Sequence, residues 1–359
     1  RCVTCILRGT LRAKQPTRHT RIPERVRVEP ERYQRSLRKL SMNAVPPAIS
    51  VSDLRHHYGD RCALDALTFE VAPAEIFAFV GPNGGGKTTL FRILSTLMPM
   101  QQGAAQILGN DLETAVGPIR REIGVVFQAP SLDKKLTVDE NLRHQGHLYG
   151  LRGGQFADRC DALLLQVGLS DRRDELVEKL SGGLRRRVEL AKGMLHQPRL
   201  LLLDEPSTGL DPAARSDLWN YLHQLQVEQQ VTIVLTTHLL EEAEKADRVA
   251  ILNEGKLVAL DSPDALRATV GGDAITIQSK ASERLAEDIG RKFGFSCEVL
   301  DDQVRFEQPD GHRLIAKIVE AFPGCIEAIT FARPSLEDVF IDRTGHRYRQ
   351  DQLSQETSH

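Results

Sequence analysis

Gly81-Pro82-Asn83-Gly84-Gly85-Gly86-Lys87-Thr88-Thr89 is the stretch that decides the fold. It fits GxxxxGK[ST], with Gly81 first and Gly86-Lys87-Thr88 last. A short apolar run over 75–80 precedes it, and a helical pattern over 88–97 follows. Strand, glycine loop, helix is a phosphate-binding arrangement. Glycines let the backbone wrap close to phosphate oxygens, while N–H groups and the helix N-terminus cradle negative charge. Lys87 is placed to neutralise the β and γ phosphates of a nucleotide, and the Thr88 hydroxyl to ligate Mg²⁺.

Working outward, residues 49–54 alternate apolar and polar as a half-exposed strand does, and 67–71 reads as a second strand. The continuous apolar runs 199–203 and 232–236 have the pattern of parallel strands buried on both faces. Leu218, Leu222 and Leu225 fall on one face of a helix between them. Strands alternating with helices predict a layered α/β core. The run Leu200-Leu201-Leu202-Leu203 ends in Asp204 and Glu205. Carboxylates at the tip of a parallel strand lie at the ligand edge of the sheet. Asp204 is placed there to hold Mg²⁺, and Glu205 to orient and polarise an attacking water.

These two motifs define a nucleotide phosphohydrolase and no more. Leu180-Ser181-Gly182-Gly183, just before a helical stretch at 184–195, narrows it. It resembles the signature of the ATP-binding cassette (ABC) family and stands about twenty residues before Asp204, as in that family. The resemblance covers residues 48–268 and implies a cassette that binds ATP with Mg²⁺. Ser181, Gly182 and Gly183 would then face ATP held by another subunit, in a homodimer or paired cassette. Gln128 resembles the family's loop glutamine, which senses Mg²⁺ and the γ-phosphate. His238 resembles its switch histidine, and Asp211 the aspartate of the loop crossing the dimer interface. Tyr58 resembles the aromatic that stacks on adenine. Gly85 stands where alanine or serine is commoner, and Leu184 where glutamine is common. Arg185-Arg186-Arg187 reads as a solvated helix face or as groups close to phosphate. Pro130-Ser131-Leu132-Asp133 and Ser335-Leu336-Glu337-Asp338-Val339-Phe340 resemble motifs of the daunorubicin-resistance-type exporter subgroup. Membership implies a separate membrane permease and a cytoplasmic position, peripheral on the inner face of the membrane.

Beyond Gly271-Gly272 the pattern changes to β-α-β-β-α-β, a split βαβ order, so a small α+β domain is expected over 273–345. The fold expected overall is α/β, a P-loop NTPase cassette with a helical signature subdomain and this smaller domain after it. Residues 346–359 are expected to form a disordered tail.

The 359 residues carry 47 Lys plus Arg against 49 Asp plus Glu. Residues 1–41 hold twelve of those bases and three acids, so the rest is acidic, against a body-wide nucleic-acid footprint. The basic segment has no helical period and is expected to be disordered. It reads either as a transit-type leader or as an untranslated extension before a start at Met42. The second is preferred because Met42 opens directly onto a strand-like segment. Cys2 and Cys5 form one CxxC without a second ligand pair, so reduced thiols rather than zinc are expected. No stretch approaches the roughly 18–20 consecutive apolar residues of a membrane-spanning helix. Two alternatives stand beside the transporter subunit. One is a soluble cassette protein acting on nucleic acid, ribosomes or iron–sulfur assembly; the other is a plain P-loop kinase. One cassette without a sustained heptad speaks against the first, and the signature and His238 against the second.

Overall fold

The computed structural model describes residues 45–270, 272–300, 303–308 and 311–344. The expected basic extension, the Cys2/Cys5 pair and the tail after 345 lie outside them.

The phosphate loop follows β3 (Ile76–Val80), whose five residues are all buried, and opens α1 (Lys87–Leu94). β7 (Leu200–Asp204) and β8 (Thr232–Thr237) are buried along their whole length too. With β6 (Ile123–Val126), β9 (Arg248–Asn253) and β10 (Lys256–Asp261) they form a six-stranded sheet, ordered β10-β9-β3-β8-β7-β6. All neighbours run parallel except β10 against β9.

Successive side chains of a strand point to opposite faces. Leu200 and Leu202 of β7 therefore enter one core with Phe77 and Phe79 of β3, while Leu201 and Leu203 enter the other with Ile76 and Val80. That is why these runs are apolar without alternation. The first core lies beneath a four-stranded antiparallel sheet, ordered β2-β1-β4-β5. Its strands are β1 (Ile49–Tyr58), β2 (Arg61–Val71), β4 (Gln102–Ile107) and β5 (Asn110–Asp111). Phe69 of β2 meets Phe77 and Phe79 at ring centroids 6.1 and 5.0 Å apart. The short α2 (Val116–Glu122) leads into β6.

The second core is covered by helices. α3 (Val138–Leu148) starts at a capping box, in which Glu140 N–H donates to Thr137 Oγ1 and Thr137 N–H donates to the Glu140 carboxylate. α4 (Gly153–Gln166) and α5 (Gly182–Met194) follow, and Ser181 caps α5. α6 (Pro212–Gln229) has Asp211 as its cap and Pro212 in its first turn, where a missing N–H costs nothing. α7 (Leu240–Ala243) and α8 (Pro263–Arg267) close this side.

The C-terminal part has its own antiparallel sheet, ordered β12-β13-β11-β14. It comprises β11 (Asp273–Gln278), α9 (Ser282–Phe293), β12 (Glu298–Leu300), β13 (Gln303–Gln308), α10 (Gly311–Ala321) and β14 (Ala328–Ala332). Ile275, Ile277, Leu285, Ile289, Val304, Phe306 and Ile318 form its core. The chain then returns. α11 (Leu336–Thr344) buries Leu336, Val339 and Phe340 in the helical core of the cassette, against α7, α8 and β10.

The helix expected over 88–97 is shorter in the structure. It stops at Leu94 because Ser95 is its cap and Thr96 turns left-handed at φ 61. The run expected over 199–203 is shifted by one. Asp204 pairs with Thr236 in the β7–β8 ladder, so the carboxylate belongs to the strand itself.

Candidate active site

The glycine loop wraps tightly because its neighbours leave no room for side chains. A Cβ on Gly81 would lie 2.1 Å from the Leu252 carbonyl oxygen. Gly86 caps α1 at φ 103, and a Cβ there would meet the Ala63 carbonyl oxygen at 2.7 Å. Lys87 is buried beneath the loop, and its Nζ donates to the Gly81 and Pro82 carbonyls at 2.7 and 3.1 Å. Burial lowers the Lys87 pKa, and the charges of Glu205 and Asp204 oppose that shift. Thr88 is exposed at the rim, and Thr89 is buried below it. Tyr58, Asn83, Gly84, Gly86, Lys87, Thr88, Thr89 and Glu205 line one cleft. Tyr58 is 47% exposed at the edge of this cleft. Its hydroxyl donates to Met98 Sδ at 3.4 Å, and its ring meets His56 edge-on.

At the end of β7, Asp204 is buried and accepts from Thr236 Oγ1 at 2.6 Å. Burial raises the Asp204 pKa, which the Thr236 hydrogen bond opposes. Glu205 follows in the left-handed region at φ 44, a conformation a non-glycine residue keeps only where its surroundings hold it. Here Glu205 N–H donates to the Thr236 carbonyl oxygen and to Thr236 Oγ1, both at 3.1 Å. The turn aims the Glu205 carboxylate at three groups. Its Oε2 accepts from Gln128 Nε2 at 3.0 Å and from Thr208 Oγ1 at 3.2 Å, and lies 3.1 Å from His238 Nδ1. Gln128, Glu205 and His238, spread over 110 positions of sequence, thus meet at one carboxylate.

Ser181, Gly182, Gly183 and Asp211 are placed elsewhere. None of them lines the phosphate cleft. Ser181 Oγ accepts from Leu184 N–H at 3.3 Å, and Asp211 Oδ1 from Ala214 N–H at 2.9 Å. The two helix starts adjoin, since a Cβ on Gly183 would lie 3.0 Å from that of Ala214. A larger cavity, about 450 Å³, opens between α4, α5 and α6, but its lining includes none of the phosphate-loop residues.

The arginine triplet differs from the solvated face expected of it. Arg186 is 8% exposed and donates to the carbonyls of Pro206, Phe127 and Asp204 and to Glu189. It ties the signature helix to the segments bearing Gln128 and Glu205. Arg187 pairs with Asp217, and Arg185 donates to the Leu180 carbonyl. Sequence reasoning also missed Thr236. A threonine inside an apolar strand reads as β-propensity; its partner Asp204, 32 positions earlier, gives it no local signal.

A glycine cradle on a parallel sheet, facing a carboxylate pair, defines a P-loop nucleoside triphosphatase. The family model described as ABC transporter matches residues 64–208. Daunorubicin resistance ATP-binding protein DrrA2 of Streptomyces coeruleorubidus is 37% identical over 309 residues, 84% of this chain and 96% of that protein. The chain belongs to the ABC transporter family, as an ATP-binding subunit whose ATP hydrolysis is coupled to transport. Nod factor export ATP-binding protein I of Ralstonia nicotianae is 34% identical over 314 residues, 84% of this chain and 95% of that one. A solved ATP-binding subunit of an ABC transporter aligns at TM-score 0.56 and 32% identity, over 62% of this chain and 92% of its own. CbiO1 of Clostridium perfringens aligns at TM-score 0.59 and 24% identity, over 70% and 97%, a likeness of fold.

Proposed function

We propose that this chain powers export by hydrolysing Mg-ATP, with Glu205 as the base that takes a proton from the attacking water. The observation that carries this reading is the convergence of Gln128 and His238 on the Glu205 carboxylate, across the cleft from Lys87. His238 and Gln128 orient the base and the water, and the phosphate loop with Lys87 holds the triphosphate. Mg²⁺ prefers hard oxygen donors and keeps several waters. The Thr88 hydroxyl, the Asp204 carboxylate and the Gln128 side-chain oxygen supply that chemistry, and the ion would neutralise phosphate charge there. Tyr58 stacks on the adenine.

Ser181, Gly182 and Gly183 lie at a helix N-terminus that no residue of the chain's own phosphate cleft shares. An anion site of that kind is used if two cassettes pair head to tail, with Asp211 at the crossing loop. Among the described residues no helix is long and apolar enough to cross a membrane. A membrane permease therefore supplies the pathway and selects the cargo, and this chain works from the inner face of the membrane. The relatives' names speak of drug resistance and of Nod factor export, so the cargo varies while the cassette is kept. We assign it no nucleic-acid partner.

Glu205→Gln is the test. Glutamine keeps the shape and loses the base, a change that costs about 10²–10⁴ in rate where a general base is removed. The variant should still bind Mg-ATP in equilibrium dialysis. Near-normal turnover, or lost ATP binding, would remove Glu205 from this role.

A further inference from the structure

We propose that Glu242 is a positioning residue for hydrolysis, tying the loop after β7 to the turn that carries His238. Glu242 is 2% exposed, and its carboxylate joins three pieces of chain. Ser207 Oγ, in the loop that runs from Glu205 to Asp211, donates to Glu242 Oε2 at 2.5 Å. Thr237 Oγ1, at the end of β8, donates to the same oxygen at 3.1 Å. Arg215, in the first turn of α6, brings Nε to 3.2 Å from Oε1. That third contact is a charge pairing without hydrogen-bond alignment, and among the described residues neither atom has a hydrogen-bond partner.

Each arm leads to a residue of the site. Thr237 Oγ1 also accepts from Leu239 N–H at 3.0 Å, so the hydroxyl that meets Glu242 closes the turn on either side of His238. Ser207 is two residues from Glu205, and the next residue, Thr208, donates to the Glu205 carboxylate. Arg215 donates to the Leu210 carbonyl, next to Asp211. A buried carboxylate oxygen with two hydroxyl donors holds one geometry, because moving either donor costs a buried hydrogen bond, and the Arg215 guanidinium beside the other oxygen offsets the buried charge. Glu242 is not among the residues that line the phosphate cleft. It therefore sets the distance from His238 to Glu205 together with the placement of the crossing loop, and leaves the ATP cradle alone.

This inference rests on the proposed hydrolytic role of Glu205, so the experiment carries Glu205→Gln as a control. Purified wild type, Glu242→Gln, Ser207→Ala and the double variant are compared in steady-state ATPase assays and thermal melts. Misplacing a reacting group by about 1 Å costs up to about 10²-fold in rate. Glu242→Gln and Ser207→Ala should each lower kcat about tenfold or more by this route. The KM for ATP should stay within about twofold, since uniform binding is untouched. The double variant should cost no more than the worse single one, because both changes cut the same link. If Glu242→Gln does not fold, Ser207→Ala alone decides between lowered kcat at retained KM and unchanged kcat. Unchanged kcat in the single variants, additive losses, or a KM that rises with falling kcat overturns the proposal. Normal turnover by Glu205→Gln overturns the hydrolytic reading and this inference with it. An inactive Glu205→Gln beside a fully active Glu242→Gln overturns this inference only.

Discussion

Cys160 shows how far burial alone can set the chemistry of one side chain. It is fully buried between α3 and α4, and desolvation pushes its thiol up from 9.0 to about 11. At pH 8 the folded protein should therefore label at Cys62 and Cys325, which are exposed, and not at Cys160 until denaturant is added. Peptide mapping after alkylation reads this directly. The sign of the linkage follows. Below pH 9 both folded and unfolded chains keep the proton, and the contribution to stability is whole. Between about pH 9 and pH 11 the unfolded thiol ionises first, and stability is lost as the pH rises. Rapid labelling of Cys160 at pH 8 without denaturant would contradict the burial. The catalytic residues were legible at this scale for a different reason. Glu205 and His238 each follow a buried apolar strand, and Lys87 sits in a fixed glycine pattern. Glu242, Arg186 and Thr236 carry no such mark. Glu189 and Thr237 apart, their side-chain partners are 18 to 59 positions away in sequence, and only folding brings them together.

Among the elements, β3, β7 and β8 were legible because apolar runs without alternation have few other uses. β4, β5, β6, β9 and β10 were not read from the sequence; β4 is exposed at four of six positions and β5 has two residues. The motif at Ser335 was read as a resemblance, and its place in the structure is more informative. Ser335 Oγ accepts from Asp338 N–H, and Ser335 N–H donates to the Asp338 carboxylate, which fixes the start of α11. The helix then buries Phe340 in the cassette core. Phe340→Ala should destabilise the cassette, not just the small C-terminal sheet, by about 3–5 kcal/mol, the usual cost of a large aromatic truncated in a core. Chemical denaturation followed at Trp219, which shares that core, measures it. An unmoved Trp219 transition would show that α11 is not part of the cassette's cooperative unit.

For the molecule as a whole, the separation of Ser181 from the phosphate cleft has a genetic signature. Lys87→Ala damages the cradle, and Ser181→Arg damages the signature. If sites are composed of one cradle and the other chain's signature, a mixed dimer holds one site with both lesions and one with neither. Mixing the two inactive variants should then restore partial hydrolysis or ATP occlusion, up to about half in the mixed dimers if the sites act independently. Mixed dimers that form but stay inactive and occlude no ATP would place the signature in the service of its own cradle.

The return of α11 also bears on how the chain is made. A cassette whose core ended near residue 268 could close on the ribosome as soon as that length emerged. Here Leu336, Val339 and Phe340 complete that core, so it stays open through synthesis of the whole small sheet. Domains emerge and fold in N-to-C order during translation, and exposed apolar surface on such intermediates invites aggregation. The nascent chain thus spends the time needed to make some seventy further residues with the site of α11 uncovered. Chaperone occupancy on ribosome-bound chains should persist past that point and fall once α11 is out.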